Sequence, residues 1–405
     1  MKQWTHLLLG AAALGIAAWA GPAAAQATGA SGTLRVLVNP GDSSEQSRVA
    51  TYTAWKGALE QALRKQVPGG MSIVLSNDAT ADLGSTRSGI HDVFIAPAHV
   101  VGSAMRYGYQ PVVGLDKPIQ AVLVAPKTSP ITTMAQAAGK RLGLPLQDSV
   151  VTYLVRGELN AANTTIKRHF ASVYDTRYQD ALLPCLQLRR CDLVAVEKAV
   201  FDRWVAAGEP VKAITQSRPV PGLSVAIKDG ARPGAAALMA ALSESAEFAQ
   251  LLRGENTKAV ARASDDFKYV ATLGYFTPRA LPGADVVDAK TVAQLLQGGA
   301  TYIDTRTDAE FKAGHVPGSR LVPYHEKSAK DPDFDAALDK FELAKLGPDR
   351  NAELIFACNG AECWKSFKAT QAAMKAGYKN VNWFRGGFPE WRSSGLKFDA
   401  AAAAQ

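Results

Sequence analysis

At 405 residues the chain is too long for one hydrophobic core, and two or three compact units are expected. Hydrophobic residues make up 47% and charged residues 20%, which excludes a disordered chain. The formal charge of +8 is scattered, with no recognisable nucleic-acid motif, so it implies a general attraction for anions rather than nucleic-acid binding.

The chain opens with MKQWTH, which carries a single lysine, Lys2. Residues 7–19 are small and apolar, and Ala23, Ala24 and Ala25 offer a cleavage site before Gln26. These features predict a signal peptide over 1–25 and export to a periplasm. A retained anchor is the alternative, but Pro22 and the small-residue site argue for removal. No later stretch is apolar enough to span a bilayer. The four cysteines form two close pairs, Cys185 with Cys191 and Cys358 with Cys363, as suits an oxidising compartment. The first pair is expected to close a small loop beside a strand as a disulfide.

From residue 26 the pattern is α/β. Strands are expected at 34–38, 72–76, ending at Ile95, at 121–126 and at 223–230, alternating with helices. In the first helix Tyr52, Trp55, Leu59 and Leu63 fall on one face. Another helix is expected over 151–159, and the alanine-rich stretch 233–267 reads as helical. Residues 127–149 read as a polar connection.

Three segments, HDVFIAPAHVV, AAGKRLGLPLQDSVVTY and CDLVAVEKAVFDRW, resemble the periplasmic solute-binding proteins of the phosphate, phosphite and phosphonate group. The resemblance covers about 33–276. It implies two α/β lobes of the type 2 periplasmic-binding-protein kind, with crossings near 117–127 and 215–225 and a small oxyanion ligand in the cleft. An ABC transporter permease would be a partner. Physically, Ser43 and Ser44 precede one helix and Asp148 and Ser149 another, so two helix N-termini with hydroxyl donors could face an anion. Ordinary helix capping is the competing reading. Thr152 and His99 are further cleft candidates, and Glu197 sits just beyond its strand. Asp148 would repel an anion or pair with an amino group on the ligand. QDSVVTY also departs from the serine- and glycine-rich anion loop of that group.

GYFTPRALPGAD, residues 274–285, breaks both helical and strand patterns and reads as the domain boundary. The boundaries are therefore a periplasmic solute-binding-like domain over 26–276, a linker over 277–285 and a third unit over 286–400. In that last unit the apolar run 354–357 delivers Cys358 to a short loop containing Gly360, and from Cys363 onward the pattern turns helical. Loop N–H groups and a helix N-terminus both favour a thiolate.

Around this loop lie YIDTR, EFKAGHVPGS, AGYKNV and WFRGGFPEW. Together they resemble the rhodanese family of sulfurtransferases, implying an α/β domain with a central, mostly parallel sheet. In that resemblance Cys358 attacks a sulfane sulfur donor, carries the sulfur as a persulfide and passes it to a thiol acceptor. Asp304 and Arg306 would hold the active-site loops, with Gly360 and Ser366 in support. His315 belongs to a structural turn, and no cofactor or metal is implied. The family's loop arginine is missing; Cys363 takes its place, and Lys365 offers only a point charge. Cys363 could resolve a persulfide on Cys358 or rest in a disulfide with it. The favoured function is sulfur transfer. The alternatives are a non-catalytic periplasmic receptor with a redox appendage, or a thiol-disulfide oxidoreductase.

Overall fold

In the computed structural model the described residues are 32–76 and 79–400; the expected leader lies outside them. The first sheet is built on Leu34–Val38, which pairs in parallel with Met71–Leu75 and Val93–Ala96. Ser224–Lys228 and Tyr109–Leu115 continue it antiparallel, and Ala259–Ala261 closes the edge. The helix Glu45–Leu63 covers this sheet because Trp55, Leu59 and Leu63 share a buried face, with Trp55 against Phe248 at 5.5 Å between ring centres.

A second lobe has the strand order Ser172–Thr176, Arg141–Pro145, Leu193–Glu197, Ala121–Pro126, Val211–Gln216. The chain crosses between lobes after Leu115 and returns before Ser224. The two crossings are tied where Ile119 and Val220 exchange N–H···O bonds of 2.9 Å. This is the two-lobed arrangement expected of a type 2 binding-protein fold.

Two local expectations need correction. The stretch 127–149 contains the strand Arg141–Pro145, whose Leu142 and Leu144 are buried between polar flanks. The alanine-rich stretch is two helices, Ala235–Ser243 and Ala246–Gly254, because Ser245 caps the second by accepting the Phe248 N–H. After Gly254 the chain becomes a strand rather than staying helical.

The last unit holds a five-stranded, wholly parallel sheet in the order Asp285–Val286, Asn380–Phe384, Glu353–Ala357, Thr301–Asp304, Arg320–Leu321. Apolar clusters cover both faces, one around Tyr302, Phe384 and Trp391, the other around Ile303, Phe356 and Val381. Glu353–Ala357 is thus a central strand, and its C-terminal end, where Cys358 begins, is held on both sides. Among the described residues no helix is long and apolar enough to cross a membrane.

Candidate active site

Cys358 leaves the central strand and is 1% exposed. Gly360 turns the loop with φ of +85°, and Cys363 becomes the N-cap of the helix Trp364–Lys375. The sulfurs of Cys358 and Cys363 lie within bonding distance, with their Cα atoms 6.3 Å apart. The amides of residues 359–362 find no acceptor among the described residues, whereas the Cys363 N–H donates to Gly360 O at 2.9 Å. Free amides beside a helix N-terminus are a favourable setting for anionic sulfur.

Ser366 sits in the first turn of that helix, with its hydroxyl 3.1 Å from Cys358 Sγ. The same oxygen accepts the Trp383 Nε1–H at 3.1 Å. With a lone pair engaged by the indole, the hydroxyl proton is free to point at the sulfur. Behind the cysteine, Phe388 N–H donates to Cys358 O at 2.9 Å. Gly387 allows this approach: its φ is +57°, and a Cβ there would lie 2.1 Å from that carbonyl oxygen.

Asp304 and Arg306 form a buried ion pair of 2.6 Å. Arg306 also donates to Gly314 O at 2.7 Å and lies over the Phe388 ring at 4.3 Å, so it ties the strand end to the turn and to the helix after Gly387. Lys365 faces Glu310. Burial pushes the Glu310 carboxyl up, but Lys365, Thr307 and Arg306 hold it below the usual range. Glu310 also accepts the Asn359 side-chain N–H at 2.6 Å. His315 bonds Phe311 O at 2.9 Å and stacks on that ring.

In the cleft between the first two lobes, most of the candidate polar groups are met by other protein groups; His99 Nδ1 is buried without a hydrogen-bond partner among the described residues. Ser44 caps its helix by accepting Ser47 N–H at 3.2 Å, and Ser43 O accepts Asp180 N–H from the opposite lobe at 3.2 Å. Ser149 accepts Val151 N–H at 3.2 Å and so caps the helix Val150–Ala161; burial pushes the Asp42 carboxyl up, with Ser149 and Gln179 pulling the other way. Gln179 bridges the lobes, donating to Asp42 at 2.5 Å and to Glu197 at 3.0 Å. Burial, then Asp42, pushes Glu197 up to about 7. Thr152 donates to Pro145 O and Leu146 O at 3.1 Å. His99 Nε2 lies 2.8 Å from Asp148 O, and burial lowers its pKa to about 4, so the ring is neutral.

The amino group that meets Asp148 comes from the last unit: Lys330 Nζ lies 2.7 Å from both carboxylate oxygens. Asp42, Gln179 and Lys330 were not singled out from the sequence. Asp42 lies in the NPGDSS loop beside the chosen serines, whereas Lys330 lies in an irregular stretch with no motif.

Contacts between units continue to the cysteine loop. Arg106 pairs with Glu362 at 3.3 Å, and Thr277 N and Oγ1 both donate to Ala361 O at 2.8 Å. Trp364 Nε1 donates to Tyr275 O at 2.8 Å. The expected linker is accordingly packed against the loop. Elsewhere, Cys185 and Cys191 lie at disulfide distance, Cα to Cα 5.3 Å, joining the helix Leu182–Gln187 to the start of the strand Leu193–Glu197.

The family model for ABC transporter, phosphonate, periplasmic substrate-binding proteins matches residues 38–267, more than half of the chain. The chain belongs to this family. A rhodanese-like domain matches 288–394, so the phosphonate-binding-type module is fused to a rhodanese-like sulfurtransferase domain. Thiosulfate sulfurtransferase 16, chloroplastic, of Arabidopsis thaliana is 34% identical over 111 residues, 26% of this chain and 86% of that protein. The HTH-type transcriptional regulator Rv0324 of Mycobacterium tuberculosis is 34% identical over 131 residues, 30% of this chain and only 51% of the regulator. PhnD1 from Prochlorococcus marinus, solved with methylphosphonate, matches with a TM-score of 0.50 at 15% identity, covering 60% of this chain and 97% of that one, a likeness of fold.

Proposed function

We propose that this exported protein is a sulfurtransferase of the periplasm with Cys358 as the sulfur carrier. The observation that carries the reading is the Ser366 hydroxyl, oriented by Trp383 and 3.1 Å from Cys358 Sγ, at the start of a helix whose N-terminal end favours anionic sulfur. In the first step the Cys358 thiolate attacks the outer sulfur of a sulfane donor. A new S–S bond forms, the donor's own S–S bond breaks, and its remainder leaves with the electron pair; for thiosulfate that remainder is sulfite. In the second step an acceptor thiolate takes the terminal sulfur and regenerates the Cys358 thiolate.

Cys363 adds a branch. As a thiolate it attacks Cys358 Sγ of the persulfide, releasing hydrosulfide and leaving a Cys358–Cys363 disulfide. An external dithiol then reduces that disulfide and returns the pair to its starting state. Lys365 contributes charge through its interaction with Glu310.

The solute module gives the protein its family relation to small-oxyanion binding and to ABC transporters. Ser149 already accepts the Val151 N–H and Asp42 is already bound by Gln179, so an anionic solute in this cleft competes with bonds the protein makes to itself. Ser43, Ser44, His99, Ser149 and Thr152 are the groups such a solute would meet.

The test is thiocyanate formation from thiosulfate and cyanide by reduced protein beside Cys358→Ser. Turnover lost in the variant supports the reading. No turnover by fully reduced wild type, or equal turnover by both, refutes it.

A further inference from the structure

The rhodanese-like module is fastened to both lobes of the solute module, at two separate places. The first lobe and the connecting segment hold the sulfur loop. Arg106, just after the helix Ala98–Ala104, pairs with Glu362 at 3.3 Å and lies over the Phe276 ring at 4.6 Å. The Tyr107 hydroxyl stands 3.2 Å from where a Cβ on Gly360 would be, and a Cβ on Gly274 would lie 2.1 Å from Glu362 Oε1. With Thr277 on the Ala361 carbonyl and Tyr275 on Trp364, the loop is met at Gly360, Ala361, Glu362 and Trp364. Cys358 and Cys363 in the same loop are 1% and 7% exposed. Displacement on sulfur needs a line of approach to Sγ, and a thiol this buried offers one only when its surroundings open.

The second lobe holds the module elsewhere. Lys330 Nζ lies 2.7 Å from both oxygens of Asp148, and Lys330 N–H donates to Gln147 Oε1 at 3.2 Å. Asp148 also accepts the Thr80 hydroxyl from the first lobe, and its carbonyl lies 2.8 Å from His99 Nε2. Tyr275 joins the two places. Its ring centre lies 6.0 Å from Lys330 Nζ and 5.3 Å from that of Tyr153 in the second lobe, while its carbonyl accepts the Trp364 Nε1–H at 2.8 Å, beside Cys363. A change in the angle between the lobes must therefore break the Lys330–Asp148 pair or shift the groups packed on the sulfur loop. Parted, both members of that buried pair would lose their partner.

We infer that the solute module is a latched cover on the sulfur site: with Lys330 seated on Asp148 the lobes are held at one angle and the loop is shut, and release of that pair opens Cys358 to donor and acceptor. Lys330 is a tethered occupant of the cleft region. Whatever sets the lobes at another angle, a cleft solute included, opens the sulfur loop by linkage. The catalytic consequence rests on the sulfur-transfer reading; the cover itself does not. Small donors reach Cys358 by transient opening, so the wild type turns over slowly.

The experiment labels Cys358 in the reduced full-length protein with N-ethylmaleimide and with a polyethylene-glycol maleimide, read by peptide mass. The two reagents share one chemistry, so a change in thiol pKa cancels in their rate ratio and a change in access does not. The bulky-to-small ratio is expected to rise about tenfold in Lys330→Met with Asp148→Asn, which removes the latch without stranding a charge. An unchanged ratio overturns the inference. Should that variant not fold, Arg106→Gln, which loosens the cover at Glu362, must raise the ratio in the same direction, and an unchanged ratio there overturns it equally.

A catalytic arm separates the two claims. Thiocyanate formation from thiosulfate and cyanide is expected to be several-fold faster in the double variant than in wild type. Turnover that falls while the ratio rises overturns the restraining role. No turnover by either protein, with the rise in ratio intact, refutes sulfur transfer and supports the cover.

Discussion

The Lys330 ammonium of the rhodanese-like module grips both carboxylate oxygens of Asp148, each at 2.7 Å, inside the cleft region of the solute module. Both side chains are buried, so either one alone would be an uncompensated charge. Lys330→Met is expected to destabilise the protein by about 3–5 kcal/mol in urea unfolding, and Lys330→Met with Asp148→Asn by distinctly less. Burial pushes the Asp148 carboxyl up, but Lys330 and Thr80 hold it below its ordinary 3.8. A depressed carboxylate contributes stability above its unfolded pKa and loses it as pH falls through the folded one. Acid sensitivity below about pH 4 should therefore weaken in the double variant.

Glu197 has the opposite sign. Its pKa rises from 4.5 to about 7, so the folded state holds a proton that the unfolded state has lost across that window. Stability is expected to fall by roughly 3 kcal/mol as pH rises through it and to level off above. Glu197→Gln removes this slope. Denaturant unfolding from pH 5 to pH 8 checks it, and parallel slopes for the two proteins would contradict the assignment.

Ser366→Ala removes the hydroxyl beside Cys358 Sγ. A hydrogen bond to charged sulfur contributes about 1.5–3 kcal/mol, so the thiol pKa of reduced protein should rise by one to two units, with iodoacetamide alkylation at neutral pH slowed about tenfold or more. Trp383→Phe, which frees the hydroxyl to rotate, should give a smaller change in the same direction.

Gly387→Ala puts a Cβ where the Cys358 carbonyl oxygen stands and forces an alanine to φ of +57°. The backbone strain alone is about 1–2 kcal/mol, and the close contact must shift the cysteine loop. Loss of sulfur transfer together with lowered thermal stability is expected; normal activity would show that the loop tolerates the shift.

Much of this was legible in the chain. Trp55, Leu59 and Leu63 fall at helical spacing, and the apolar run before Cys358 identifies a central strand because both its faces are buried. The strand Arg141–Pro145 was hidden because two apolar residues, Leu142 and Leu144, sit in a polar stretch too short for period-two alternation to stand out. The contacts between modules were hidden for another reason. Arg106 and Lys330 look like surface residues in their local patterns, and only tertiary packing brings them to Glu362 and Asp148. Asp42, too, reads as a turn residue until the second lobe places Gln179 against it.

The most direct test of the account is the mass of reduced protein after brief exposure to thiosulfate and removal of excess donor, with peptide mapping of residues around 358. One added sulfur atom on Cys358, absent in Cys358→Ser and longer-lived in Cys363→Ser, is the predicted result. A reduced Cys358 that stays unmodified, or sulfur found equally on the Cys358→Ser protein, would contradict it.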